Sequence, residues 1–166
     1  MNNTPTDPQI PEITWSRPIG LGWEKPYTVR YASNLDDGPW HGMPLGGFGA
    51  GCLGRSSRGD FNLWHLDGGE HGFQRLSACQ FSVYEEARGR KQAYALCTEP
   101  PEDGSLSSWQ WYPPSKGTEP GEKTGTYHAL YPRSWFEYEN VFKAQLTCEQ
   151  FSPILPGNYQ DNSYVI

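Results

Sequence analysis

The sequence predicts an all-β protein, an antiparallel β-sandwich. Aromatic residues make up 14 % of the 166 residues, with seven Trp and ten Tyr, and such side chains favour strands. The 15 Pro and 19 Gly favour turns over helices. Several short segments also alternate between apolar and polar residues, as half-buried strands do. Two packed sheets would cover the apolar faces of these strands, and a β-barrel is the nearest alternative on the same evidence.

Four segments are candidate strands, and they fall into two kinds by their sequence pattern. Residues 27–31 and 134–139 are rich in aromatic and β-branched side chains. Residues 79–84 and 143–149 alternate cleanly between apolar and polar positions. Short strands separated by turns, without a long helix, are typical of a sheet protein.

The remaining stretches are predicted to be loops and ends. Residues 104–125 are rich in Ser, Pro, Gly, Glu and Lys, so we expect two mobile loops that flank a short strand around Trp109 and Trp111. Residues 1–14 are polar and contain proline, which predicts a disordered amino terminus before a domain over residues 15–166. The apolar run at residues 162–166 resembles the start of a strand, so we expect the domain to be truncated at its carboxyl end.

Composition argues against several classes of function. The net charge is -6 and the 13 Lys and Arg are scattered, so no nucleic-acid partner is expected. The first residues lack a basic segment followed by an apolar one, and no apolar run approaches 20 residues, so no secretion or membrane signal is visible. We therefore expect a cytoplasmic protein. The cysteines (Cys52, Cys79, Cys97 and Cys148) form no C-x-x-C pair, which excludes a zinc ribbon and predicts buried free thiols.

The glycine-rich segment over residues 44–70 is the best candidate for the wall of a site. Its closely spaced glycines indicate tight turns or a backbone pressed against a neighbour. Arg58, Asp60, Trp64 and His65 follow within a few residues. A planar cation, a carboxylate and aromatic faces suit a hydroxyl-rich ligand such as a sugar, although buried structural networks use the same groups.

Two motifs in this segment are interpreted as coincidences. Residues 49–54 match G-x-G-x-x-G, but Pro44 precedes them and a polar Arg-Ser-Ser-Arg-Gly run follows. A dinucleotide site needs a strand before the glycines and a helix after them. The Arg58-Gly59-Asp60 tripeptide would need an exposed loop tip to act in adhesion, and Phe61 follows at once. A partly buried Arg58 and Asp60 pair is as plausible as a ligand-facing one.

Neither a metal site nor a catalytic pair can be assigned from the residues alone. His65 and His71 are six residues apart, which suits zinc ligation poorly, and His41 and His128 are distant from them. No metal or other cofactor is therefore predicted. Asp60, Asp67 and Glu70 are close in sequence, but glycosidases need two carboxyls about 5–10 Å apart across a bond, and sequence cannot place them so.

Four blocks in the same order resemble the amino-terminal region of glycoside hydrolase family 116, the non-lysosomal glucosylceramidases and bile acid β-glucosidases. They read MPLGGFGAGCLGR with RGDFNLW, then CQFSV, then YHALYPRSW, and then LTCEQFSPILP followed by YQD. The resemblance extends from about residue 27 to the last residue. Residues 1–12 and 102–123 match nothing in the family.

The resemblance implies a two-domain enzyme. An amino-terminal β-sandwich would precede an (α/α)₆ barrel that carries the nucleophile and the acid/base carboxylate of a retaining β-glucosidase. The barrel is absent here and would be an intramolecular partner, through which a β-glucoside or glucosylceramide is bound. No catalytic residue is therefore expected in this chain. Asp60, Asp67 and Glu70 are not assigned as catalytic carboxylates. A lipid aglycone would imply peripheral membrane contact at most.

The resemblance leaves Arg58, Asp60, Trp64 and His65 as candidates for the rim of the substrate pocket or for the domain interface. Two other functions stay open. The first is a free-standing carbohydrate-binding sandwich that stacks sugars on Trp109, Trp111 or Trp64. The second is a protein-interaction module without a small ligand.

Overall fold

The computed structural model describes residues 9–21, 42–47, 51–67 and 70–163, and these form antiparallel sheets, which confirms the all-β prediction. Within them the single helix is one turn long. The elements are β1 (Trp15–Pro18), β2 (Met43–Gly46), β3 (Cys52–Arg55), β4 (Phe61–Asp67), β5 (Glu70–Phe73), β6 (Ser82–Ala87), β7 (Arg90–Ala95), β8 (Gly125–Leu130), β9 (Arg133–Tyr138), β10 (Leu146–Phe151) and α1 (Tyr159–Asn162).

Sheet A has the strand order β1-β8-β9-β10, with every neighbouring pair antiparallel. Tyr127 on β8 lies opposite Phe136 on β9, and Phe136 lies opposite Cys148 on β10. These residues share one face of the sheet because side chains alternate with a period of two. Tyr127 and Phe136 are fully buried, so this is the inner face.

Sheet B has the order β2-β3-β4-β5 and contains the glycine-rich segment. The close backbone approach predicted from the glycines is present. Gly51 has φ +103°, and a Cβ there would lie 2.3 Å from the His65 carbonyl oxygen. Gly59 has φ +91°, and its Cβ would lie 2.0 Å from the carbonyl oxygen of Leu96. Any larger residue at either position would be strained and would clash with backbone.

A third unit, the β6–β7 hairpin, contributes to the core. The buried cluster joins Leu96, just after β7, to aromatic residues of sheet A and to Tyr112. Val83 and Tyr94 from the two hairpin strands pack against it. The cluster is mostly aromatic, with Tyr112 and Tyr138 in edge contact at 5.0 Å between ring centroids.

Polar contacts connect sheet B to sheet A. The Met43 amide donates to the Tyr127 hydroxyl at 3.1 Å. Ser152, just after β10, accepts from the Gly46 amide at 3.1 Å and donates to the Pro44 carbonyl at 2.7 Å. The edge strand β2 is thereby attached to the inner side of sheet A.

The predicted strands differ in their limits from the observed ones. Residues 134–139 correspond to β9, as predicted. Residues 79–84 give a strand only from Ser82, because the amide of Cys79 forms a turn with the Leu76 carbonyl. Residues 143–149 give a strand only from Leu146. The amides of residues 143 and 144 bond the Glu85 carboxylate instead of a neighbouring strand. Residues 27–31 lie outside the described residues.

The short strand predicted around Trp109 and Trp111 is wrong. Trp111 forms only an isolated parallel bridge with Ala95, and the chain on either side is irregular. Residues 162 and 163 do not begin a strand either. Asn162 ends α1, and its side chain bonds both the amide and the carbonyl of Leu155 at 2.8 Å. Residues 1–8 and 164–166 lie outside the described residues.

The four cysteines are free thiols, and only Cys97 is buried. The prediction of burial is wrong for Cys79, which is exposed, because it lies in the turn before β6. Among the described residues, no helix has the length and apolar character needed to cross a bilayer.

Candidate functional site

The loop that joins β3 to β4, residues 56–60, carries two of the four predicted site residues. It is closed by the amide of Ser56, which donates to the Asp60 carbonyl at 2.9 Å, and by the amide of Gly59, which donates back to Ser56 at 2.9 Å. The loop lies against the chain after β7, where the Thr98 amide donates to the Arg58 carbonyl at 2.9 Å. These backbone bonds fix the loop on both sides.

Arg58 projects from this loop into a charged cluster. Its Nη1 lies 2.8 Å from Oε1 of Glu99, and the other Glu99 oxygen pairs with Arg75. All three side chains are partly exposed, between 22 % and 37 %. Two guanidinium groups share one carboxylate, so the cluster keeps a net positive charge and hydrogen-bond donors at the surface.

Asp60 is turned inwards and is only 5 % exposed. Its Oδ1 accepts a hydrogen bond from the Ser56 hydroxyl, which also accepts from the Arg58 amide at 3.1 Å. The arrangement is a structural link across the loop. The expected pairing of Arg58 with Asp60 is replaced by separate partners for each, Glu99 and Ser56.

Trp64 and His65 lie further along β4. The Trp64 indole donates to the carbonyl of Gln74 at 2.5 Å, and its ring lies 6.4 Å from that of Phe61. His65 is opposite Cys52 on β3 and is partly buried. Consecutive strand residues alternate between the two faces, so Trp64 and His65 do not share one.

The four predicted site residues therefore occupy two places. Arg58 and Asp60 are at the β3–β4 loop, whereas His65 is four strand residues beyond Phe61, roughly 13 Å along β4 at about 3.3 Å per residue. Of the four, Arg58 presents a charged group at the surface. Their role at a substrate rim or a domain interface stays a prediction.

The most connected side chain in this region is Arg55, which sequence reasoning missed. It is 1 % exposed and ends β3. Its guanidinium donates to the Gly59 and Leu96 carbonyls at 3.0 Å, to the Tyr138 hydroxyl at 3.2 Å and to Gln150 Oε1 at 3.3 Å. The only signal in the sequence is an arginine directly after a glycine-rich, strand-like run.

Aromatic rings complete the surroundings of Arg55. Its guanidinium carbon lies 4.2 Å from the ring centroid of Phe136 and 4.9 Å from that of Phe81. Such cation–π contacts stabilise a cation most when water is excluded. Among the described residues no carboxylate contacts this guanidinium, so neutral acceptors and ring faces hold the charge.

Burial shapes the ionisation of the groups around Arg55. It raises the pKa of the Cys97 thiol to about 11 and raises the pKa of the Tyr138 hydroxyl against the opposing charge of Arg55. Both groups stay protonated at neutral pH. Neither Cys97 nor Tyr138 is therefore activated as a nucleophile, and both serve the structural contact between the sheets.

The structure supports the interpretation of the G-x-G-x-x-G run and the Arg-Gly-Asp tripeptide as coincidences. The second half of the G-x-G-x-x-G run lies within strand β3, and the β3–β4 loop follows it, so no helix begins at these glycines to face a phosphate. Gly59 and Asp60 of the Arg-Gly-Asp tripeptide are buried, so it is not an exposed tip. Within the described ranges, no group of three His, Cys, Asp or Glu side chains could hold a metal ion.

A comparison with known protein families agrees with the four sequence blocks and with the observed fold. The family model described as "beta-glucosidase 2, glycosyl-hydrolase family 116 N-term" matches residues 42–165. This span contains all four sequence blocks, together with sheet B, the β6–β7 hairpin and three of the four strands of sheet A. It begins at residue 42 and not at about residue 27. The match covers well over half of the chain, and the chain therefore belongs to glycoside hydrolase family 116, as its amino-terminal region.

Proposed function

We propose that this chain is the non-catalytic amino-terminal domain of a retaining β-glucosidase that hydrolyses glucosylceramide-like β-glucosides. The observation that carries the proposal is the family match over residues 42–165. The catalytic nucleophile and acid/base would lie in an (α/α)₆ barrel outside this chain, and the two domains would form one molecule. No cofactor takes part in such a hydrolysis.

The environment of the acidic residues supports a non-catalytic role. Asp60 is buried against Ser56, and Glu99 is shared by two arginines. Glu137 pairs with His128, and Glu149 pairs with Arg133. These four carboxylates are thus committed to partners within the domain, whereas a glycosidase acid must face the glycosidic oxygen.

Two further carboxyls have a pKa shifted in the wrong direction for a general acid. Hydrogen bonds from the Lys143 and Ala144 amides lower the pKa of Glu85, and bonds from Ser105 lower the pKa of Asp103. A glycosidase acid needs a raised pKa so that it holds its proton near neutral pH.

The exposed surface of sheet B supports a partner domain. Leu66, Phe73 and Leu76 are between 39 % and 56 % exposed along β4, β5 and the chain after them. Arg58 and Arg75 supply donors nearby in sequence. We propose that this mixture of apolar and positively charged groups forms the interface with the barrel.

We also propose a cytoplasmic protein with at most peripheral membrane contact. The free thiols are the usual state in a reducing compartment. With a ceramide aglycone, the substrate would lie in the membrane, and this acidic domain would stay outside it.

The test compares two proteins: this chain, and the product of the longest continuous reading frame that contains it. Both are assayed with an aryl β-glucoside and with glucosylceramide. We expect no turnover by the chain and turnover of both substrates by the longer product, with the β-anomer of glucose released first because the mechanism retains configuration. Turnover by the pure chain would disprove the non-catalytic role. Activity on the aryl glucoside without activity on glucosylceramide would disprove the lipid substrate.

A matched pair of variants tests the acidic residues in the longer product. Glu70→Gln changes an exposed acid of β5, and Asp60→Asn changes the buried one. We expect kcat to stay within about threefold of wild type for Glu70→Gln, since a true catalytic carboxylate would cost several orders of magnitude. Asp60→Asn is expected to lower the unfolding temperature without changing kcat of the folded fraction.

A further inference from the structure

We propose that the cavity between the β6–β7 hairpin and residues 108–110, here called the Trp109 pocket, binds the ring of a neutral pyranose sugar. The pocket has a volume of about 520 Å³. Pockets for small ligands span about 300–1,000 Å³, so a monosaccharide or a disaccharide fits. This inference goes beyond the proposed function and does not depend on it.

The floor of the pocket is the outward face of the hairpin. Ser82 and Ala95 are paired across the two strands, as are Tyr84 and Ala93. Three of these four residues are small, so beside Tyr84 no large side chain stands above the strands. A rigid ring can therefore approach the strands closely without displacing side chains.

Trp109 forms one wall and is held in place before any ligand arrives. Its ring stacks on that of Trp111 with 5.8 Å between centroids and 27° between planes, and it stays 40 % exposed. Its amide donates to the Leu106 carbonyl at 2.9 Å. A fixed indole face is a good partner for the C–H face of a sugar ring, because little conformational entropy is lost on binding.

Backbone bonds fix the segment that carries Trp109 against β7. The Ala95 amide donates to the Gln110 carbonyl at 2.8 Å, and the Tyr112 amide donates to the Ala95 carbonyl at 3.0 Å. Tyr112 is 1 % exposed and belongs to the hydrophobic core. The wall is thereby attached to the most buried part of the domain.

Tyr84 supplies a second aromatic surface from the hairpin. It is 60 % exposed, and its hydroxyl donates to Glu86 at 2.8 Å. That bond restricts the ring although one face is open to solvent. Two oriented aromatic surfaces beside one flat floor are an arrangement that suits a pyranose better than a flexible chain.

The polar groups of the pocket point to a neutral ligand. Ser82, Ser108 and Gln110 contribute uncharged donors and acceptors, and all three are exposed. Lys91 brings one positive charge, but its Nζ lies 3.8 Å from the Glu86 carboxylate. This balance of charge disfavours a phosphate or a carboxylate ligand and favours hydroxyl groups, which both donate and accept.

The test titrates the 166-residue chain with methyl β-glucoside and cellobiose. Tryptophan fluorescence and isothermal calorimetry are followed in parallel. We expect a saturable signal with both sugars, because a ligand on Trp109 changes the surroundings of an indole. Trp109→Ala should weaken binding about tenfold, the loss that corresponds to one aromatic contact. Trp109→Phe should retain part of the affinity.

A matched control separates the pocket from exposed aromatic surface in general. Phe151 is 59 % exposed at the end of β10 and does not line the pocket. Phe151→Ala should leave the sugar affinity unchanged, and Tyr84→Ala should weaken it. Circular dichroism of each variant verifies that it is folded.

Three outcomes would overturn the proposal. The first is the absence of saturable binding by the folded wild-type chain. The second is equal weakening by Phe151→Ala and Trp109→Ala. The third is tighter binding of glucose 6-phosphate than of methyl β-glucoside, which would make the pocket an anion site. None of these outcomes bears on whether the longer protein hydrolyses β-glucosides.

Discussion

Arg55 is a cation in the interior of the domain whose stabilisation comes from neutral groups. Its five hydrogen-bond partners come from four separate parts of the chain: the β3–β4 loop, the end of β7, β9 and β10. Burying a charge is costly unless its hydrogen bonds are made, and here the guanidinium donates from all three nitrogens. At the scale of single residues, this side chain connects sheet B to sheet A.

Replacement of Arg55 should therefore be severely destabilising. Arg55→Ala leaves buried carbonyls, an amide and a hydroxyl without their donor, and we expect a loss of about 3–5 kcal/mol in the free energy of unfolding. Arg55→Lys should cost less, but still more than about 1 kcal/mol, because a lysine ammonium cannot reproduce the planar arrangement of guanidinium donors. Urea denaturation followed by circular dichroism measures both.

Arg133 offers the control for Arg55. It is 57 % exposed, pairs with Glu149 and lies 5.9 Å from the ring centroid of Phe151. Arg133→Ala should cost less than about 1 kcal/mol, as exposed ion pairs do. Equal costs at the two positions would show that Arg55 is not the connection described here.

Chemistry at the residue scale was only partly predictable from the sequence. The glycine spacing correctly predicted close backbone approach, seen at Gly51 and Gly59. Arg58 and Asp60 were predicted to lie at a substrate rim or a domain interface, or to pair with each other, and their actual partners Glu99 and Ser56 were not foreseen. Glu99 is 41 residues from Arg58 in the chain, and no local pattern encodes a contact set by the packing of a loop on a distant strand end.

At the scale of elements, one carboxylate connects the β6–β7 hairpin to the residues just before β10. Glu85 on β6 accepts hydrogen bonds at 2.8 Å from the amides of Lys143 and Ala144. Its other oxygen accepts from Gln92 across the hairpin at 2.6 Å. The alternation over residues 143–149 predicted a strand for the whole segment, but these side-chain bonds take the place of ladder bonds in its first residues.

This contact should make stability depend on pH. The amides of Lys143 and Ala144 hold the pKa of Glu85 below its ordinary value of 4.5 in the folded state. A depressed folded-state pKa contributes stability that is present above pH 4.5 and is lost as the pH falls through the folded-state pKa. Glu85→Gln should therefore destabilise the domain at neutral pH, and the difference from wild type should shrink in acid. Thermal unfolding between neutral pH and acid measures this difference.

Glu86→Gln is the matched control on the same strand. Glu86 is 50 % exposed and 3.8 Å from Lys91, so its removal should change stability little at any pH. A pH-dependence of Glu86→Gln as large as that of Glu85→Gln would contradict a specific role for the Glu85 contact.

Element type was easier to predict than element limits. The aromatic and β-branched run at residues 134–139 gave β9 nearly as predicted. Residues 109–111 were predicted as a strand on the same grounds, yet they form one bridge only. The Trp109 amide closes a turn onto the Leu106 carbonyl instead of bonding a neighbouring strand, and composition does not reveal such a contact.

At the scale of the whole molecule, one aromatic core and one buried cation span all of the sheets. The core joins sheet A to the β6–β7 hairpin, and Arg55 brings in sheet B. Units that share their core are not expected to unfold separately. The family resemblance predicted the sandwich correctly, since it identified the amino-terminal region as a unit with its own fold.

The described domain should therefore unfold in a single cooperative transition. Tryptophan fluorescence sums over residues that include Trp135 in sheet A and Trp64 in sheet B, whereas far-ultraviolet circular dichroism reports on all strands. We expect the fluorescence and dichroism curves in urea to coincide, with the same midpoint for both. Two separate transitions would mean that sheet B is an independent unit.

The position of Arg55 in the chain has a consequence for the order of events during synthesis. Its partner Gln150 lies 95 residues later, so a ribosome working at 5–20 residues per second exposes Arg55 roughly 5–20 s before that partner emerges. During this interval the nascent chain carries a cation whose partners on β9 and β10 have not all been made. Sheet B therefore cannot complete its packing against sheet A until β10 has been translated.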